Sequence, residues 1–151
     1  MQTTGLTFDE YVDLRLRPPA GADRAVLICY WIAMYIATHW PDVDRYKPET
    51  GWWIPSFGTV MHLSIYGLWA ALWWWVLRAR GIRLTGVVLT WFILGTAAYA
   101  AFDELTQAIV SRTPDFPDFV ADVVGASVVA AVLNFTERYL PPAPNPSGTA
   151  A

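Results

Sequence analysis

Residues 103–122 read DELTQAIVSRTPDFPDFVAD, and the architecture follows from what flanks them. Upstream lies LTGVVLTWFILGTAAYAAF, from Leu84 to about Phe102, and downstream FVADVVGASVVAAVLNFTERY, Phe119 to Tyr139. Each flank is close to the roughly 20 apolar residues that cross a bilayer as a helix. Five carboxylates, a Gln and an Arg are thus confined between two membrane-sized segments, where hydrocarbon is costly for every one of them.

Working outward, the same alternation recurs. FGTVMHLSIYGLWAALWWWVL, Phe57–Leu77, is a third long apolar block, and AVLICYWIAMYIATHW, Ala25–Trp40, a shorter fourth one of sixteen residues. Overall 55% of the residues are hydrophobic and 15% charged, with nine Trp. A soluble four-helix bundle would interleave charge at helical spacing along each helix; here nearly all charge lies between the blocks. The expectation is an all-α polytopic membrane protein, four transmembrane helices in an up-down bundle, embedded in membrane lipid. The shortest span must recruit flanking residues or meet a thinned bilayer. Trp52-Trp53 before the second span and Trp73-Trp74-Trp75 at its end fit interfacial aromatic belts.

Three expected regions follow. Residues 1–24 are an N-terminal cytoplasmic segment, open between a short surface helix and a frayed polar terminus; they lack the pattern of a cleaved secretory signal. Residues 25–139 form the four-helix transmembrane domain. Residues 140–151, rich in Pro and small residues, are expected to be a disordered tail. Lys and Arg counts orient the chain: Arg15, Arg17, Arg24, Arg78, Arg80, Arg83 and Arg138 on one side, Arg45, Lys47 and Arg112 on the other. By the positive-inside rule both termini are cytoplasmic and the 103–118 connection faces outward.

The net charge is −3, of which residues 103–122 carry −4 and the remainder +1. No basic footprint for nucleic acid exists. Cys29, the single cysteine, can form no internal disulfide and reads as a small buried hydrophobe.

Up-down topology brings separate polar residues to one depth: His62 and Tyr66 from span two, Asp103, Glu104 and Gln107 from span three, Asp118 and Asp122 from span four. Gly58, His62 and Tyr66 recur every four residues on one helix face, as do Gly95, Tyr99, Asp103 and Gln107, with Thr96, Ala100 and Glu104 adjoining. Ala121 and Gly125 provide a small-xxx-small spacing for close helix contact. Carboxylates this dense require that at least one keep its proton or be met by a bound cation, and an Asp/Glu/Gln/His set offers ligands to a divalent ion.

Plainer roles stand beside these. Arg112 with Asp118 is either a loop clamp or an anion contact. Asp115, between two prolines, reads as a solvated turn residue, His39 as a solvated interfacial imidazole, and Tyr66 as a packed ring with a satisfied hydroxyl. His62 bonded to Asp103 or Glu104 would be interhelical glue as readily as a ligand. Asp103, Glu104, Gln107 and Asp122 together exceed what packing needs.

At these residues the chain resembles the VanZ-like family of small multi-spanning bacterial membrane proteins. The family's Asp-Glu-x-x-Gln box falls on Asp103, Glu104 and Gln107, its Arg on Arg112, and the two acids and Gly opening the last span on Asp118, Asp122 and Gly125. Its His, in the span two before the last, falls on His62. Thr106 stands where family members commonly have His, TPDFP replaces a small Gly/Ser turn, and Asp122 stands where Asn is frequent. The resemblance implies a bacterial cytoplasmic membrane location and a link to resistance against a lipid-tailed glycopeptide antibiotic of the teicoplanin type, with no reaction attached.

Four functions remain open from sequence: an acidic pocket for an amphipathic or lipid-linked cell-envelope ligand, a metal-assisted hydrolase or transferase on a lipid phosphate or glycolipid, a proton- or ion-coupled carrier, and a structural scaffold. The lack of a second basic residue beside Arg112 weighs against a phosphate substrate. Oligomeric state is not legible.

Overall fold

A computed structural model describes residues 21–40, 57–110 and 112–140. The proposed surface helix within 1–24, the Trp52-Trp53 pair and most of the proline-rich tail lie outside the described residues. Four α-helices follow in order: α1 Ala22–Thr38, α2 Phe57–Arg78, α3 Gly86–Gln107 and α4 Phe116–Thr136. Among the described residues there is no strand. Three helices, α2, α3 and α4, are long and apolar enough to cross a membrane. The seventeen residues of α1 extend about 26 Å at 1.5 Å per residue.

The helix boundaries differ from the apolar blocks in ways that matter to the site. α3 continues past Phe102 to Gln107, because Asp103, Glu104 and Gln107 turn inward and find partners there. α4 begins at Phe116, with Pro in its first turn, where the missing N–H costs nothing and the fixed φ favours helix. Asp118 is therefore a first-turn residue, not a loop residue. α2 ends where Gly81 adopts φ 74°, with Ile82 N–H donating to Leu77 O and Gly81 N–H to Arg78 O, both at 3.0 Å. That pair of bonds closes the last turn in a Schellman arrangement, which the left-handed Gly permits.

α4 packs along α2 and also against α3, while α1 packs on α2 and touches α3 more lightly. The α2–α4 contact is close because its residues are small. A Cβ added at Gly125 would strike the Leu63 backbone, and one at Gly67 would stand 3.2 Å from Val129 and 3.6 Å from the Gly125 carbonyl. α2 and α3 meet instead through rings, Trp69 stacking on Tyr99 at 5.8 Å and lying 5.8 Å from Phe92. Trp31 of α1 completes the aromatic layer at 5.3 Å from Tyr99.

Much of the outer surface is apolar: Ile32, Leu68, Trp91, Leu94, Val128 and Val132 are exposed. An apolar belt this extensive belongs in lipid, which needs no polar face from it. Cys29 lies on this outer face, correcting its reading as a buried residue; the apolar block surrounds it in sequence, but its helix position turns it outward. Gly95 also faces open space, so the buried stripe of α3 is Thr96, Ala100, Asp103, Glu104 and Gln107.

Candidate functional site

The C-terminal ends of α1 and α3 and the N-terminal ends of α2 and α4 share one pole, and the polar residues expected to converge there do so. His62, Tyr66, Asp103, Glu104, Gln107, Arg112, Asp118 and Asp122 are all buried. They form two adjoining groups.

The first lies among α2, α3 and α4. His62 Nδ1 is 2.9 Å from Asp122 Oδ1 and 4.0 Å from Glu104 Oε1, while Nε2 is 3.8 Å from Asp118 Oδ2. His62 thus bridges to Glu104 and the α4 acids, not to Asp103. Glu104 and Asp118 are each held from behind. Gln107 Nε2 donates to Glu104 Oε1 at 2.9 Å, the Asp115 backbone N–H donates to Glu104 Oε2 at 2.8 Å, and the Thr59 hydroxyl donates to Asp118 Oδ1 at 3.2 Å. Asp115 is consequently more than a solvated turn residue: half-buried at the head of α4, it anchors Glu104 through its backbone.

The second group joins α1 to α3. The Thr38 hydroxyl donates to Asp103 Oδ1 at 3.1 Å, and His39 Nδ1 lies 3.6 Å from the same oxygen. His39 Nε2 is 2.9 Å from the Thr106 hydroxyl, and its ring stacks on Tyr35 at 3.9 Å. The solvated His39 of the sequence reading is instead buried and packed, because α1 ends against the Asp103–Thr106 turn of α3. Its signal in sequence is slight, an imidazole directly after the Thr that reaches Asp103. Arg112 donates through Nη1 to the Thr38 carbonyl, so the Arg112–Asp118 clamp does not form. The orphan carbonyl at the end of α1 is the better partner, since helix C-termini present unsatisfied C=O groups and a partial negative charge.

Several polar atoms between the groups remain without a hydrogen-bond partner among the described residues: Tyr66 Oη, Asp103 Oδ2, Asp122 Oδ2 and Arg112 Nε. Tyr66 is fully buried, a packed ring whose hydroxyl is turned to the acids of the pole. That hydroxyl sits within electrostatic reach of both Asp103 and Asp122. Buried, unpartnered oxygens are costly.

Beside Glu104 the bundle opens outward. Ala101, Glu104, Leu105, Pro114, Asp115, Phe116 and Phe119 line a groove of about 400 Å³ between α3 and α4, apolar apart from its two acids. Leu105 and Phe116 are largely exposed at its rim.

The opposite pole is basic and separately organised. Glu137 is fully buried and accepts from Trp74 Nε1 at 2.7 Å, Arg78 Nη1 at 3.0 Å and Arg83 Nε at 3.1 Å, while Arg80 pairs with Asp23 at 2.8 Å.

The model of the VanZ/LLP1 family matches residues 16–136. With its helical bundle and the Asp103-Glu104-x-x-Gln107 box turned into it, the chain belongs to the VanZ/LLP1 family and is a multi-pass protein of the cell membrane. No curated protein and no solved structure matches it.

Proposed function

We propose that the acidic pole binds an amphipathic cell-envelope molecule, lipid-tailed or lipid-linked, with its apolar part in the α3–α4 groove and its polar part toward Glu104. The observation that carries this reading is the groove itself: an apolar trough of about 400 Å³ whose wall includes a buried carboxylate pinned by Gln107 and Asp115. Pockets of this size, apolar with a few fixed polar groups, suit small amphiphiles. In this reading all four helices span the bilayer, both termini are cytoplasmic and the groove opens to the outer leaflet, consistent with arginines gathered at the other pole.

The test uses a susceptible bacterial host exposed to a lipid-tailed glycopeptide and to the same glycopeptide without its tail. Expression of the chain should raise tolerance to the tailed compound alone, and Glu104→Gln or Leu105→Asp should lower that tolerance about ten-fold, the equivalent of losing one good polar or apolar contact, with membrane insertion unchanged. Equal protection by these variants removes the groove from the binding site.

A further inference from the structure

His62 is the imidazole around which α2, α3 and α4 close, and it meets carboxylates through both ring nitrogens. Nδ1 faces Asp122 Oδ1 at 2.9 Å and Glu104 Oε1 at 4.0 Å, and Nε2 faces Asp118 Oδ2 at 3.8 Å. All four side chains are buried, Asp122 completely. Arg112, the nearest guanidinium in sequence, is turned to the Thr38 carbonyl. Among the described residues, four buried acids at this pole, Asp103, Glu104, Asp118 and Asp122, meet His62, His39 and Arg112; even with both imidazoles charged, these acids outnumber these bases.

We propose that His62, Glu104 and Asp122 hold a divalent transition-metal ion of the zinc type, coordinated by His62 Nδ1 and one oxygen from each carboxylate. Three observations converge on this. One ligand atom from each of the three residues falls within 4.8 Å of the others, wider than the spacing of about 3.3–3.6 Å between donors that share a tetrahedral ion at 2.0–2.2 Å, so the side chains close by up to about 1.5 Å around the ion. Asp122 Oδ2, on a completely buried side chain, has no partner among the described residues. The supports expected around metal ligands are present: a carboxylate, Asp118, faces the far nitrogen of His62, Thr59 holds Asp118, and Gln107 and the Asp115 N–H fix Glu104. Such outer partners orient the ligands and select the tautomer. With Nε2 carrying its proton toward Asp118, Nδ1 keeps a lone pair free to coordinate a cation alongside the two carboxylates.

One imidazole with two carboxylates distinguishes this set from an all-oxygen site for Mg²⁺ or Ca²⁺. The ion would lie behind Glu104, which also walls the α3–α4 groove, but the inference does not rest on the amphiphile reading. Metal binding is measured here without any organic ligand, so either can fail alone.

The experiment takes full-length protein in detergent, carried on a histidine-free tag and purified without chelator. Elemental analysis should find about one Zn²⁺ per chain, the stoichiometry of a single closed set of three protein ligands. After chelation, Co²⁺ should restore a saturable visible d–d absorption at the same stoichiometry. His62→Gln, Glu104→Gln and Asp122→Asn, each checked for native circular dichroism, should weaken Zn²⁺ at least about ten-fold, and Asp118→Asn about ten-fold through the imidazole it supports. X-ray absorption on the unaltered protein needs no variant, and should show nitrogen and oxygen neighbours without sulfur. The proposal is overturned if folded protein binds neither Zn²⁺, Mn²⁺ nor Co²⁺ saturably, if the three substitutions leave binding unchanged, if sulfur appears and points to Cys29, or if Mg²⁺ or Ca²⁺ displaces Zn²⁺ at equal concentration.

Discussion

Glu137 shows what a single carboxylate does when a membrane-sized helix ends on a cluster of cations. It takes a hydrogen bond from Trp74 and ion pairs from Arg78 and Arg83, which draws the end of α4 onto the end of α2 and the connection to α3. Arg78 is buried, its side chain 8% exposed, whereas the Arg83 side chain is 45% exposed, so solvent screens the second pair and the first dominates. Glu137→Gln should cost about 3 kcal/mol in a reversible denaturant titration, the low end for breaking a buried ion pair; Arg83→Gln should cost under about 1 kcal/mol. Glu137 escaped the sequence reading because it stands among the polar residues ending the last apolar block, where an acid is ordinarily solvated. His39 escaped for the same reason. In both cases the missing information was which neighbouring helix closes over the end, a long-range fact that local composition does not carry.

At the scale of helices, contact is decided by residue size at the crossing. Gly125→Ala would place a methyl against the Leu63 backbone, where no side chain can move aside. The α2–α4 crossing must widen, and stability should fall by about 1–3 kcal/mol, the usual cost of overpacking. Gly95→Ala meets nothing within 4 Å and should leave stability unchanged or raise it by up to about 1 kcal/mol through helix propensity. Thermal unfolding of the two variants in the same detergent separates these outcomes. The Ala121–Gly125 spacing was readable because close approach demands small residues a turn apart. The row Gly95, Tyr99, Asp103, Gln107 was not a true buried face. At 3.6 residues per turn each four-residue step advances about 40°, so three steps wind about 120° around the helix, and Gly95 leaves the interior that Gln107 enters. Counting fours located the box at Asp103–Gln107, and the adjoining row Thr96, Ala100, Glu104 holds the buried face upstream of it.

For the molecule as a whole, the layout is two polar poles separated by aromatic packing and an apolar exterior. The membrane class was legible because charge and hydropathy are segregated along the chain, and the acidic pole was legible because alternating helices return their ends to the same depth. What hydropathy left open is α1, whose seventeen residues fall short of the bilayer core. If α1 crosses as proposed, Cys29 on its outward face lies in hydrocarbon. The thiol should then resist a membrane-impermeant maleimide in intact cells and in inverted vesicles alike, yet react with a lipid-soluble one. Rapid labelling by the impermeant reagent from either side would place α1 at the surface and leave three spans.

Thr38 joins two parts of this layout by two different atoms: its hydroxyl serves Asp103 and its carbonyl serves Arg112. Mutagenesis therefore sees only half of the residue. Thr38→Val silences the hydroxyl and spares the carbonyl, which no side-chain change at position 38 can erase, so the tether to the 108–115 linker is severed only from the arginine side. Comparing Thr38→Val with Arg112→Gln thus dissects one junction into two separable wires, one feeding the carboxylates and one restraining the loop that precedes α4.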